Sequence, residues 1–278
     1  MIKQFYRLGR PVNALAGCIA VVLSAYVAGP QAWWPVIMAT VTVLLITVST
    51  NAWNDYLDIE IDKINKPERP LPSGKISPRQ ALLFSAAGSA LSLVTAAFIN
   101  PPAFFIALGS NLLLYLYSWK LKCTILWGNA TVGAVVALCF IFGGLAAGNI
   151  MPIIPLAVTV FFALTGREIL KTMADYRGDR EHNCRTVAVA WGMDIARTLF
   201  IVHLALSAAL MIATYFIAGY NLVYLYVIVI VIYPLFIYIA INSKSSATSA
   251  VLERNSLLMK YGFFIWFLAV ALGAGLAS

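Results

Sequence analysis

Charge is what this chain has least of. Of its 278 residues only 19 are Lys or Arg and 11 are Asp or Glu, so 11% are charged while 62% are hydrophobic. A soluble domain carries about 25% charged residues, and less than half that cannot coat a water-facing surface. Soluble enzyme, disordered tail and nucleic-acid-binding module are excluded, despite a formal net charge of +8. Cysteine is scarce too. Cys18, Cys123, Cys139 and Cys184 contain no Cys-x-x-Cys pair, hence neither a disulfide framework nor a zinc signature, and read as small apolar residues of a membrane bundle. No nucleophile triad or Gly-rich nucleotide loop is present, which argues against hydrolase or kinase chemistry. With a mean hydropathy of +0.87, the chain reads as an integral membrane protein.

A hydrocarbon core about 30 Å thick takes about 20 apolar residues of helix to cross. About nine such stretches occur, near 11–28, 33–53, 80–99, 102–118, 129–147, 152–173, 193–218, 221–241 and 258–277. Lipid offers backbone groups no partners, so each is expected to be helical. The first is read as a retained helix rather than a signal peptide. The connections alternate: one set, such as Asn100-Pro101-Pro102, is short and uncharged, while the other holds all 19 basic and all 11 acidic residues. Under the positive-inside rule the charged side is cytoplasmic, with the N-terminus inside and the C-terminus outside. Lys244, Arg254 and Lys260 read as charges attracted to lipid headgroups. The Gly144-x-x-x-Gly148 spacing reads as helix packing, and His203 and His182 as structural or solvated.

The acidic residues are not scattered. In one cluster Asn54, Asp58 and Asp62 recur every fourth residue, with Asp55 one step around; in the other, Asp175 and Asp179 do so behind Glu168 and Lys171. On a helix such residues share a face. Like charges that close repel, and a hard divalent cation offsets the repulsion: Mg²⁺ uses one or two carboxylates plus substrate phosphates. Two acidic faces opposing one another would hold a diphosphate through Mg²⁺ on Asp58, Asp62, Asp175 and Asp179, while Arg and Lys neutralise the remaining oxygens. Between the first cluster and the third span, Pro67, Pro70, Pro72 and Gly74 predict an extended, ordered loop that brings Arg69 to Asp58 and Asp62. Ser77-Pro78 reads as the N-cap and first position of the next helix.

With these motifs the sequence resembles the UbiA superfamily of intramembrane prenyltransferases. The resemblance rests on Asn54-Asp55-x-x-Asp58-x-x-x-Asp62, Arg69-Pro70-Leu71-Pro72-Ser73-Gly74, and Asp175-x-x-x-Asp179 preceded by Lys171, with support from Arg10-Pro11-x-Asn13 and Tyr117-Ser118-Trp119-Lys120. It implies a single all-α domain over 1–278, nine transmembrane helices around a central cavity, with two acidic-motif halves (about 1–122 and 123–241) and a last helix. Asp58-Ile59-Glu60-Ile61-Asp62 and Gly178-Asp179-Arg180 are most similar to archaeal digeranylgeranylglyceryl phosphate synthases. The implied reaction is Mg²⁺-dependent transfer of a geranylgeranyl group from its diphosphate to 3-O-geranylgeranylglyceryl phosphate, at the cytoplasmic face of the cell membrane. The implied partners are the prenyl diphosphate, a lipid-soluble acceptor and membrane lipid, with no nucleic acid and no protein.

Carried onto this sequence, Asn54, Asp55, Asp58, Asp62, Asp175 and Asp179 form the catalytic set. Asn13, Arg69, Lys120, Lys122, Arg167, Lys171 and Arg180 bind substrate. Many relatives place a lysine four residues after the tyrosine equivalent to Tyr117; here that position is Leu121, and its role goes to Lys120 or Lys122. A phosphorylated acceptor needs a second cationic patch, for which Arg7, Arg10, Lys120, Lys122 and Arg167 are candidates. Trp53, Tyr56, Phe104, Phe105, Tyr115 and Trp127 are candidates to line the cavity. Alternatives stay open: an aromatic, quinone or chlorophyll precursor as acceptor, or a secondary transporter. Transporters usually carry ionisable groups at the bilayer midplane. A CDP-alcohol phosphotransferase would show a D-G-x-x-A-R run, which is absent from this sequence.

Overall fold

A computed structural model describes residues 1–275, apart from the side chains of Asn13 and Asn65. In chain order it contains α1 (Ile2–Gly9), α2 (Pro11–Ala28), α3 (Trp34–Leu57), α4 (Ile59–Asn65), α5 (Pro78–Ala97), α6 (Pro101–Trp119), α7 (Trp127–Ala147) and α8 (Ile154–Ala174). There follow α9 (Tyr176–Glu181), α10 (Val187–Trp191), α11 (Met193–Ala218), α12 (Leu222–Val227), α13 (Tyr233–Asn242) and α14 (Ser249–Gly275). No strand occurs among the described residues. Eight helical segments are long and apolar enough to cross a membrane, and α1 with α2, bent by 67°, makes a ninth if taken together. One of the eight joins α12 and α13 through a π-helical turn at Ile228–Ile232. The expected all-helical membrane architecture is therefore present.

Packing gives the order of the bundle. α3 lies against α2, α5 and α6; α8 lies against α7 and α11; α2 against α7 joins the two groups; α14 runs beside α2, α8, α12 and α13. Without a hydrophobic drive between helices in lipid, close backbone approach matters. Gly143 supplies it, because a Cβ there would meet Ser24 Oγ and the Val21 carbonyl of α2. The expected Gly144–Gly148 pair does something else: Gly144 faces Ile150 and Ile153, and Gly148 ends α7 at φ +85°. A left-handed terminal residue closes a helix, and glycine adopts it without strain.

The charged connections form one face. Lys122 reaches Asp58, Arg185 N donates to Cys123 O, Ser249 Oγ donates to Ala174 O, and Arg197 Nε donates to Ser243 O. On the other face two asparagines satisfy orphaned backbone groups that lipid would leave unpaired. Asn100 caps α6 through Ala103 N and donates to Leu145 O; Asn221 caps α12 through Val223 N and donates to Leu272 O.

Two expectations need correcting. α14 starts nine residues before the predicted 258, at Ser249, since a helix crossing the interface keeps its hydrogen bonds through its polar first turns. The 66–76 segment is coiled into tight turns rather than extended: Ser73 N bonds Arg69 O, Gly74 N bonds Leu71 O, and Ile76 N bonds Pro70 O. Leu71 and Ile76 are buried with Leu8, Ala52 and Ala81, so apolar anchoring draws the loop inward. Gly74, at φ +71°, permits the turn. Ser77 caps α5 as predicted, in a reciprocal pair with Gln80.

Candidate active site

The two acidic motifs share one local design. α3 ends at Leu57, and Asp58 (φ −94°, ψ 12°) links it to α4, where Asp62 lies one turn on; α8 ends at Ala174, and Asp175 (φ −87°, ψ 5°) links it to α9, where Asp179 lies one turn on. In both, the amide of the later aspartate donates to the carbonyl of the earlier one, at 2.8 and 2.9 Å. Each pair thus projects from the end of a spanning helix rather than from its middle.

Around the first motif, cations already hold the carboxylates. Asp55 is 1% exposed and receives both Arg10 Nη2 and Arg69 Nη1, the latter at 3.3 Å. Arg69 Nη1 also lies 2.5 Å from Asp62, and Lys122 Nζ lies 2.6 Å from Asp58. The Arg69 loop was expected at Asp58 and Asp62; it reaches Asp62 and Asp55 instead. Arg10 turns between α1 and α2 at φ +47°. A non-glycine residue pays about 1–2 kcal/mol for that conformation, which the charged bond to Asp55 offsets. Lys120 sits apart, its Nζ 4.2 Å from the Trp119 ring. Asn54 is half-buried beside the motif, and the side chain of Asn13 lies outside the described residues.

A disulfide bridges the two motifs. Cys123 and Cys184, 61 residues apart, are bonded with Cα atoms 4.5 Å apart, correcting the expectation of unpaired cysteines. Cys123 adjoins Lys122, which holds Asp58, and Cys184 N donates to Asp179 O. Nothing in the spacing signals this bridge, because the pairing follows from the packing of two loops. Cys18 and Cys139 stay free.

The second motif is arranged differently. Glu168, buried in α8, is shared by Arg167 Nη1 at 3.0 Å and Lys171 Nζ at 2.8 Å. No cation pairs with Asp175 or Asp179 among the described residues; both line a cavity of about 870 Å³ with Tyr176, Arg177 and Ser246–Ala250. Desolvation raises both carboxyls above the usual carboxylate range, and the negative Glu253 adds to the effect at Asp175. Arg180 is exposed one turn beyond Asp175. Thr186 Oγ1 is buried without a regular hydrogen bond and interacts with Asp179. Among the described residues no three His, Cys, Asp or Glu side chains converge to hold an ion alone. The hard oxygens of Asp175, Asp179 and Thr186 would nevertheless suit Mg²⁺, a hard cation that takes oxygen ligands and substrate phosphate.

The aromatic candidates divide. Trp53 stacks on Tyr56, meets the Tyr115 ring at a tilt and donates to Tyr115 O, while Tyr115 Oη meets Ser85 and Ser89, so this group packs α3, α5 and α6 together. Phe105 and Trp127 are 67% and 71% exposed, and Trp127 borders a cavity of about 560 Å³ with Cys123, Arg185 and Trp191 rather than the one at Asp175 and Asp179. His203 Nδ1 bonds Leu199 O, in keeping with its structural assignment.

Residues 14–268 match the UbiA prenyltransferase family. The chain belongs to that family. As a UbiA prenyltransferase it is 33% identical over 274 residues to the digeranylgeranylglyceryl phosphate synthase of Methanothermobacter thermautotrophicus, covering 99% of this chain and 97% of that one. It is 35% identical over 280 residues to the enzyme of the same name from Methanobrevibacter smithii, covering 98% of each. A solved digeranylgeranylglyceryl phosphate synthase in membranes matches with a TM-score of 0.88 at 31% identity over 98% of both chains. A UbiA homolog from Archaeoglobus fulgidus bound to GPP and Mg²⁺ matches with a TM-score of 0.74 at 25% identity, over 95% of this chain and 99% of that one.

Proposed function

We propose that this UbiA prenyltransferase moves a geranylgeranyl group from its diphosphate to 3-O-geranylgeranylglyceryl phosphate, forming an ether and releasing diphosphate in archaeal membrane-lipid synthesis. The observation that carries this is near-full-length similarity to synthases of that name, in sequence and in fold. The prenyl diphosphate, lipid-soluble acceptor and surrounding lipid are its partners. Asp58, Asp62, Asp175 and Asp179 are the residues to hold Mg²⁺, which when bound supplies a Lewis acid that draws charge from the diphosphate.

The chain's own groups supply the rest. Lys122 and Arg69, already gathered at Asp58 and Asp62, exchange carboxylate for diphosphate oxygens as the substrate enters, each as a charge-assisted donor. Lys171 and Arg180 approach from the second motif, while Lys120, in the same loop as Lys122, stays over the Trp119 ring and takes no part. Together they stabilise charge building on the departing oxygens. Asp55 holds Arg10 and Arg69 in place, Asn54 flanks the motif, and Asn13 and Arg167 are assigned to substrate binding. The acceptor hydroxyl attacks carbon 1 of the allylic group as the bond from that carbon to the diphosphate oxygen breaks, and the hydroxyl proton passes to the released diphosphate as the ether forms. We place this face in the cytoplasm, following the positive-inside rule. We take 1–278 as one domain of two motif-bearing halves and a last helix, supported by the matched aspartate junctions at 58 and 175.

Detergent-purified protein with labelled geranylgeranyl diphosphate and Mg²⁺ tests the proposal. Ether product is expected with geranylgeranylglyceryl phosphate and none with 4-hydroxybenzoate. Product with the aromatic acceptor alone would overturn the acceptor assignment and keep the family.

A further inference from the structure

A second cavity, of about 260 Å³, lies among α2, α7, α8 and α14, and shares no lining residue with the one at Asp175 and Asp179. Its walls are apolar, including Val136, Leu164, Phe263 and Phe267, except for Arg167 and Lys260. Arg167 lies well inside a spanning helix, and Lys260 lies, exposed, where α14 passes from its polar first turns into its apolar run. Arg167 is seven residues, about 10 Å, before the end of α8, and Lys260 is eleven residues, about 16 Å, past the start of α14. A charge at Arg167's depth is costly and marks function. Arg167 is held across the helix pair, with Nε donating to Ser256 O of α14 at 3.1 Å and Nη1 bonding Glu168. Its Nη2 makes no hydrogen bond among the described residues, and Lys260 has no carboxylate partner there.

Assuming the acceptor proposed above, we propose that this cavity is the acceptor site: Arg167 and Lys260 bind the phosphate monoester, and the apolar wall takes the start of its isoprenoid chain. The charge balance fits. Arg167 and Lys171 share one carboxylate, Glu168, and Lys260 has no carboxylate partner among the described residues, so the cavity is net positive towards a phosphate monoester, which carries nearly two negative charges near pH 7. The spacing fits as well. Arg167 and Asp175 stand eight residues apart on α8, about 12 Å, room for a glycerol backbone and a diphosphate laid end to end. The cavity is too small for a twenty-carbon chain, and α2 and α14 also border a separate apolar groove of about 510 Å³, lined by Cys18, Ile19 and Val22 of α2 and Ala271 of α14. On this proposal Lys260 serves the acceptor phosphate rather than lipid headgroups.

The test uses full-length protein in phosphatidylcholine vesicles and two acceptors, geranylgeranylglyceryl phosphate and geranylgeranylglycerol without phosphate. Lys260→Ala should raise KM for the phosphorylated acceptor about tenfold, the scale of a lost charged hydrogen bond, with KM for geranylgeranyl diphosphate unchanged. Lys260→Arg should restore it. For the unphosphorylated acceptor, wild type and Lys260→Ala should not differ. Equal KM for wild type and Lys260→Ala with the phosphorylated acceptor would overturn the inference. So would an effect equal for both acceptors, or one that follows the fraction of anionic lipid added, since Lys260 would then serve the membrane. A wild type that transfers only to 4-hydroxybenzoate defeats the proposed function itself, and this inference with it.

Discussion

Asp55→Asn keeps the shape of a side chain that is 1% exposed and removes the charge that Arg10 and Arg69 share. At 3.3 Å and an effective dielectric of about 20, the Arg69 pair alone has a gross attraction of about 5 kcal/mol. Breaking a buried pair by deleting one partner costs about 3–5 kcal/mol. Arg69 keeps Asp62, and the arginine side chains are 28% and 19% exposed, so the lower end, about 3 kcal/mol, applies. Arg10 also loses the contact that offsets its left-handed backbone. A loss of this size lowers Tm by about 6 °C. Thermal unfolding in detergent should show that drop for Asp55→Asn. Asp179→Asn, at a carboxylate with no paired cation, should unfold within about 1 °C of wild type and yet transfer nothing. An unchanged Tm for Asp55→Asn would refute the structural role given to this network.

Other outcomes are open to test. Lys122→Ala should cut transfer at least about a hundredfold, as losing a preorganised donor does, whereas Lys120→Ala should change it little; the reverse ranking in initial rates would exchange their roles. Cys123→Ser, or reductant on wild type, should lower stability by about 2 kcal/mol, read as a fall in Tm, and a wild-type Tm indifferent to reductant would deny the Cys123–Cys184 bond. Gly143→Leu should prevent α2 and α7 from closing, so little folded protein should elute by size exclusion. EDTA should stop transfer and added Mg²⁺ restore it, with activity surviving chelation as the contrary result.

Much of the architecture is legible in the sequence because lipid enforces helix and keeps charge out, so span edges follow from composition alone. The helix α14 start was missed since polar turns above the lipid are as helical as apolar ones within it. The motif residues are legible because their four-residue spacing survives into the structure, at Asp58 and Asp62 as at Asp175 and Asp179. Their partners are not. Arg10 meets Asp55 across 45 residues and Lys122 meets Asp58 across 64, contacts that depend on how helices pack rather than on local pattern.

The central claim is that both motifs act on one diphosphate. Mg²⁺-dependent binding of geranylgeranyl diphosphate, measured by titration calorimetry on wild type, Asp58→Asn and Asp179→Asn, tests it most directly. Each single variant should lose binding by tenfold or more, the scale of a lost metal ligand's neighbour or greater, and to a similar degree. Wild-type affinity in either variant would contradict a shared site.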